Sequence, residues 1–165
     1  GALLEGKEGR WAVEFRKAGM EDLALVAEYR KKMIADSGQK DTGIDKELEE
    51  YTREKMEDGS LVEWLAEEEG EVVATGAIVF YHMPPSSYNR TGWKGFIANM
   101  WTRPDHRRQG LATRLLDLCV AEARARGVTQ LWLGASAVGK PVYQKYGFKV
   151  ADDLLEMNVP KEKEK

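Results

Sequence analysis

The chain has 165 residues, of which 42% are hydrophobic and 32% are charged, and its formal net charge is −3. This length suits one domain with a sizeable core, and the acidic balance argues against a general attraction to nucleic acid. No apolar run reaches the roughly 20 residues that a membrane span needs, and one cysteine with two histidines is too few for a structural zinc site. We therefore expect a globular protein that binds no nucleic acid, membrane or metal.

The single cysteine, Cys119, and the lack of a signal-peptide pattern predict a cytoplasmic protein. Cys119 falls on the apolar stripe of a helical pattern, which favours a core residue over a nucleophile. Residues 1–9 do not begin with Met and are interpreted as an expression remnant or a frayed terminus. Residues 161–165 form a charged tail that we expect to be disordered.

Hydrophobic periodicity and turn residues predict ten elements. In chain order they are a strand over Trp11–Lys17, helices over 20–38 and Asp45–Asp58, strands over Ser60–Glu68, Val72–Tyr81 and Phe96–Thr102, a helix over Gly110–Arg126 that ends at Gly127, a strand over 128–136, a short helix over Val138–Tyr146, and a closing strand over 148–160. The segment EEGE between the strands over Ser60–Glu68 and Val72–Tyr81 predicts a hairpin turn. This order predicts a mixed α/β fold with strand–helix–strand crossovers only in its second half.

The segment RPDHRRQGLATRLL, from Arg103 to Leu116, places basic residues and a glycine directly before a predicted helix. The free N–H groups and the dipole at a helix start favour an anion, and Gly110 lets a ligand approach the backbone. The G-x-x-x-x-G-K-[ST] and G-x-G-x-x-G patterns of other phosphate loops are absent. On spacing alone, a pyrophosphate site and a solvated basic turn both remain open.

Two motifs resemble those of the GCN5-related N-acetyltransferases (GNAT family). Arg107-x-x-Gly110-x-Ala112 matches the family's Arg/Gln-x-x-Gly-x-Gly/Ala signature, and Tyr143 with Gly147-Phe148 is similar to its later Tyr-x-x-x-Gly-Phe segment. The element order extends the resemblance from about Trp11 to Pro160. It implies one domain over residues 10–160, with a central mixed, largely antiparallel sheet of about six or seven strands flanked by about four helices.

The resemblance also implies that acetyl-CoA is the co-substrate. It assigns cofactor binding to a strand, a loop with the helix start that follows it, and two later small residues: Met100, Trp101, Thr102, Arg107, Arg108, Gln109, Gly110, Leu111, Ala112, Thr113, Ser136 and Gly139. Ser136 stands where family members often have Asn, which leaves its side-chain contact open. Gly139 stands where a small residue leaves room for the cofactor.

Tyr143 is the candidate general acid, because a phenol stays protonated at neutral pH and can protonate a departing thiolate. The strand over Phe96–Thr102 carries no carboxylate that could deprotonate the acceptor. In place of a carboxylate, His82 could act as the base, or Asn99 could orient a water molecule that accepts the proton. The sequence therefore assigns no base.

The resemblance implies that the acceptor is set by the first two helices and by a later loop, here Tyr29–Gly38 and His82–Trp93. Tyr29 and Met33 are the candidate contacts from the first of these segments. Glu28, Asp36 and Asp41 suit a cationic amine, whereas the prolines of that loop suggest a partly apolar wall.

The resemblance predicts transfer of the acetyl group of acetyl-CoA to a primary amine of a small molecule or peptide, by direct attack in a ternary complex. The alternative is a non-catalytic acyl-CoA-binding or sensor module on the same fold. A nucleic-acid module that uses Arg103, Arg107 and Arg108 is disfavoured by the acidic balance.

The closing strand carries Leu154, Leu155 and Met157 within four positions, which would place apolar groups on both of its faces. One face would need a covering helix or a second subunit. Of these two alternatives, we expect the second subunit, which makes a homodimer.

Overall fold

The structure is a computed structural model and describes residues 2–5, 12–40 and 43–162. Trp11, the first residue of a predicted strand, and Asp41, a candidate acceptor contact, lie outside the described residues. So do residues 1 and 6–9 of the predicted frayed terminus and residues 163–165 of the charged tail. The chain divides into two compact units, Gly1–Gly134 and Ala135–Lys165.

The first unit contains a six-stranded sheet and three helices in the part of the chain that is described. Its elements are β1 (Ala2–Glu5), β2 (Ala12–Lys17), α1 (Leu23–Asp36), α2 (Asp45–Glu57), β3 (Leu61–Glu68), β4 (Glu71–His82), β5 (Trp93–Thr102), α3 (Leu111–Ala125) and β6 (Leu131–Trp132). The second unit contains α4 (Lys140–Tyr146). The strands lie in the order of the sequence, antiparallel from β1 to β5 and parallel between β5 and β6. The mixed, largely antiparallel sheet with four helices is therefore confirmed.

The β3–β4 hairpin shows how local chemistry sets the register. Glu69 and Gly70 connect the strands, and both have positive φ, 51° and 80°. A two-residue connection with φ above zero at both positions matches the right-handed twist of the strands. The hairpin turn predicted from the EEGE segment is thus confirmed.

Helices pack on both faces of the sheet. Leu111 and Leu115 of α3 pack with Ala66 of β3, whereas Tyr29 of α1 packs with Leu65. Consecutive strand residues point to opposite faces, so α3 and α1 cover different sides. Cys119 is fully buried on α3, as expected for a core residue.

The structure differs from the sequence-based prediction at both ends of the chain. Ala2–Glu5, which was interpreted as frayed, pairs with β2. The predicted strand over 148–160 is wrong, because no strand or helix forms over residues 148–162. Adjacent apolar residues without alternation do not specify one buried face. The strand predicted over 128–136 shortens to Leu131–Trp132.

Candidate active site

β5 carries one extra residue in the middle of its ladder with β4. The pairs that flank the break are Thr75 with Trp101 and Ala77 with Ala98. Asn99 and Met100 together therefore lie opposite the single residue Gly76, which defines a β-bulge. A Cβ on Gly76 would come within 2.7 Å of Met100 Sδ. The glycine thus leaves room for the bulged strand.

The edge of β5 that faces β6 is open beyond the bulge. Among the described residues, β6 pairs with β5 only at Gly95 and Phe96, although β5 continues to Thr102. An unpaired strand edge offers backbone N–H and C=O groups to an extended ligand. Met100, Trp101 and Thr102, the strand residues expected to bind the cofactor, all lie on this open stretch.

The loop after β5 ends in an unusual backbone conformation. Arg108 and Gly110 have φ of 63° and 82°, and Gly110 occupies the N-cap position of α3. Within the described residues no side chain caps this helix, so the N–H groups of its first turn are left for another partner. A Cβ on Gly110 would meet nothing within 4 Å. This open concave backbone fits an anion such as a pyrophosphate.

A buried histidine anchors the start of that loop. His106 Nδ1 lies 2.7 Å from Asp105 Oδ1, and His106 Nε2 lies 2.6 Å from Glu68 Oε2 on β3. Burial by itself lowers the pKa of His106, but the hydrogen bonds to Asp105 and Glu68 outweigh it, and the pKa is raised. Arg107 Nε also donates to the Thr102 carbonyl at 3.1 Å. The sequence placed His106 beside the cofactor loop without revealing this anchor.

Asn99 joins two charged or titratable side chains that sequence reasoning did not connect. Its Nδ2 donates to Glu63 Oε2 at 3.0 Å, and its Oδ1 accepts from Arg30 Nη1 at 3.3 Å. Burial raises the pKa of the Glu63 carboxyl to about 8, and the Asn99 hydrogen bond and the Arg30 charge offset only part of that rise. The signal in the sequence was the position of Glu63 between Leu61 and Leu65, which share its face of β3.

The candidate acceptor contacts do not converge. The Tyr29 hydroxyl donates to the Val72 carbonyl at 3.3 Å, whereas His82 Nε2 lies 2.8 Å from the Thr91 carbonyl. Val72 and His82 stand ten residues apart on β4, which is roughly 30 Å along a strand. Met33 is half-buried on α1. A small acceptor therefore cannot contact both Tyr29 and His82.

A groove of about 530 Å³ lies between α1 and the β3–β4 hairpin. Tyr29 and Trp101 line it, with their ring centroids 5.0 Å apart. Lys32 Nζ lies 4.7 Å from the Tyr29 ring centroid. Both signs of charge line the groove, and Arg103 is paired there with Glu71. The lining thus favours neither cations nor anions.

Within the second unit, Ser136 and Gly139 shape the start of α4. The Gly139 N–H donates to Ser136 Oγ at 3.1 Å, so the Ser136 hydroxyl has a structural partner at the position where the family often has Asn. A Cβ on Gly139 would come within 3.2 Å of Tyr143 Cε2. Burial raises the pKa of Tyr143, so its hydroxyl stays protonated at neutral pH.

Two kinds of feature are absent from the part of the chain that the structure describes. No helix among them has the length and apolar character needed to cross a membrane. No group of three or more His, Cys, Asp or Glu side chains among them is arranged to hold a metal ion.

The chain resembles known acetyltransferases in sequence and structure. The model of the Acetyltransferase (GNAT) family matches residues 33–148. A predicted acetyltransferase from Clostridium acetobutylicum, solved with acetyl-CoA, is 45% identical with a TM-score of 0.86, covering 88% of this chain and 96% of that one. A GCN5-related N-acetyltransferase from Ralstonia eutropha JMP134 is 26% identical with a TM-score of 0.81, covering 90% of this chain and 98% of that one.

A shorter match is to the chloroplastic GCN5-related N-acetyltransferase 6 of Arabidopsis thaliana, 38% identical over 61 residues. These residues are 35% of this chain and 21% of that protein, so the match spans about a fifth of the length of the curated relative. The family model, by contrast, covers more than half of the chain, from within α1 through the loop before α3 to α4. The chain therefore belongs to the acetyltransferase (GNAT) family.

Proposed function

We propose that the protein transfers the acetyl group of acetyl-CoA to a primary amine of a small molecule or peptide, by direct attack within a ternary complex. The observation that carries the proposal is the open edge of β5 beside the uncapped start of α3. An extended thioester with a pyrophosphate needs both features, a strand edge for its arm and N–H groups for its anion. The Clostridium acetobutylicum relative, 45% identical, was solved with acetyl-CoA, which supports the same co-substrate here.

In this proposal each part of the first unit has a separate task. Met100, Trp101 and Thr102 bind the pantetheine arm through backbone hydrogen bonds, and the N–H groups of residues 107–113 bind the pyrophosphate. Acetyl-CoA supplies the activated thioester. Backbone N–H groups at the bulge polarise its carbonyl, as donors aimed at developing negative charge do in acyl transfer.

The roles of Ser136, Gly139 and Tyr143 in this proposal are inferred from the family resemblance. Tyr143 donates its proton to the departing thiolate, which a phenol with a raised pKa can do at neutral pH. Gly139 leaves space for the cofactor, and the Ser136 hydroxyl binds it in place of the usual Asn. The attacking amine forms the new C–N bond and releases a proton to solvent as the C–S bond breaks, so no covalent enzyme intermediate is required.

A thiol-release assay tests this function directly. Acetyl-CoA is incubated with the protein and a panel of amino acids, polyamines, aminoglycosides and peptides with free N-termini, and free CoA is followed with a thiol reagent. We expect release that depends on one class of amine, with an N-acetylated product of matching mass. If CoA stabilises the protein against heat but no amine causes the release of free CoA from acetyl-CoA, the result would instead support the non-catalytic sensor.

A further inference from the structure

We propose that Glu63 is a positioning residue for acetyl transfer, whose buried carboxyl holds Asn99 and, through Asn99, the β5 bulge. The inference rests on the proposed function, because it concerns the geometry of the strand that would bind the thioester. Glu63 lies on β3. This strand forms no part of the open edge of β5 or of the loop before α3.

A carboxyl at position 63 costs the fold stability. Glu63 is 1% exposed and lies between Leu61 and Leu65 on one face of β3. Among the described residues its Oε1 atom has no hydrogen-bond partner. A buried acceptor without a partner destabilises the fold, and an apolar residue of similar size would avoid that cost. Stability therefore does not explain Glu63.

Two successive strand pairs connect Glu63 to the bulge. Glu63 pairs with Ala77 of β4, and Ala77 pairs in turn with Ala98 of β5. The small side chain of Ala77 lets the Glu63 carboxyl reach across β4 to Asn99, two strands away. The resulting hydrogen bond, 3.0 Å long and fully buried, connects residues 36 positions apart in sequence.

The hydrogen bond between Glu63 and Asn99 supports an uncommon backbone conformation. Asn99 has a φ of 54°, a left-handed conformation that most residues with a side chain avoid and that Asn tolerates better than most. Three bonds hold it: Glu63 accepts from its amide nitrogen, Arg30 donates to its amide oxygen, and Thr75 Oγ1 donates to its backbone carbonyl at 2.8 Å. The carboxyl and the guanidinium together allow only one orientation of the amide. These bonds thus fix the conformation of Asn99, which is the first residue of the bulge.

Two substitutions separate positioning from packing. Glu63→Met fills the site with an apolar chain of similar length but cannot accept the Asn99 bond, whereas Glu63→Gln can still accept it. We expect Glu63→Met to melt at or above the wild-type temperature, to lose kcat about 10-fold or more, and to keep KM for acetyl-CoA within about 2-fold. Glu63→Gln should retain most of kcat. Glu67→Gln, the same change on the same strand at a pair with Arg16, is the matched control and should behave as wild type.

Asn99→Gly can still adopt a positive φ but removes both side-chain hydrogen bonds. It therefore breaks the connection between Glu63 and the bulge without changing Glu63. We expect a fall in kcat similar to that of Glu63→Met, and little further loss when the two changes are combined. Full kcat in Asn99→Gly or in Glu63→Met overturns the proposal, and so does a Glu63→Gln variant as slow as Glu63→Met.

Amide hydrogen exchange at Met100 and Trp101, in the protein without substrate, provides a readout that does not depend on turnover. Exchange should be faster in Glu63→Met, or in Asn99→Gly if the Met variant does not fold, and unchanged in Glu67→Gln. Unaltered exchange at both amides refutes the positioning role whether or not an acceptor has been found. Absence of turnover with every amine, together with faster exchange, refutes the proposed function alone.

Discussion

At the scale of single residues, the buried Glu63 carboxyl makes stability depend on pH. Its pKa rises from an ordinary 4.5 to about 8 in the folded protein because burial disfavours the charged form. The folded state therefore retains a proton that the unfolded chain releases above about pH 4.5. The stabilisation from this proton is complete below pH 4.5 and is lost as pH rises through 8. Arg30 from α1 faces the carboxyl and offsets part of the effect.

We expect the free energy of unfolding of the wild type to fall relative to that of Glu63→Gln between pH 5 and pH 8. The change should be on the order of a few kcal/mol, since each pKa unit corresponds to about 1.4 kcal/mol. Urea unfolding of both proteins at several pH values in this window measures it, because Gln cannot ionise. A difference that stays constant across the window would contradict the assignment.

A second residue-scale prediction concerns Tyr143. Tyr143→Phe removes only the hydroxyl and keeps the ring, which packs edge-on with Phe148 at a centroid distance of 6.2 Å. We expect unchanged CoA affinity and a fall in kcat of about 10-fold or more, as for the loss of a general acid. Steady-state kinetics and a CoA titration measure the two quantities. Unchanged kcat would mean that the thiolate leaves without this proton.

At the scale of elements, α3 offers a matched pair of glycines. Gly110 precedes its first residue and Gly127 follows its end, with φ of 82° and 71°, and a Cβ on either would meet nothing within 4 Å. Gly110→Val and Gly127→Val should therefore lose similar stability through backbone strain, about 1–2 kcal/mol. Only Gly110→Val should lose the thermal shift caused by CoA, because only that side chain obstructs the uncapped end. Equal CoA shifts in the two variants would rule out the pyrophosphate site.

At the scale of the whole molecule, the predicted homodimer rests on exposed apolar residues and no longer on a strand. Leu154, Leu155 and Met157 are 68%, 92% and 74% exposed. Such a cluster favours self-association. We expect sedimentation over a wide concentration range to show reversible dimers, and Leu155→Asp to shift the equilibrium towards monomers. A strictly monomeric wild type would contradict this prediction.

The sequence by itself determined the elements whose pattern is local and strong. Helical spacing with a terminal glycine predicted α3, and the EEGE turn between two apolar runs predicted the β3–β4 hairpin. The loop chemistry around Gly110 was also readable, because a helix start and a flexible residue are adjacent in the chain. These features depend on contacts between residues that are close in the chain. A short stretch of sequence is therefore enough to predict them.

Only the tertiary structure decided which distant residues meet. The Glu63–Asn99 bond spans 36 positions, and it exists because the bulge turns Asn99 towards β3 and Ala77 leaves space between them. No local sequence pattern predicts a contact between two such distant residues. Hydrophobic periodicity indicates which face of a strand a residue lies on, but not which residue it contacts. The same reason explains the two ends of the chain: a short segment such as β1 forms a strand when a partner edge is available, and residues 148–160 do not form one in this fold.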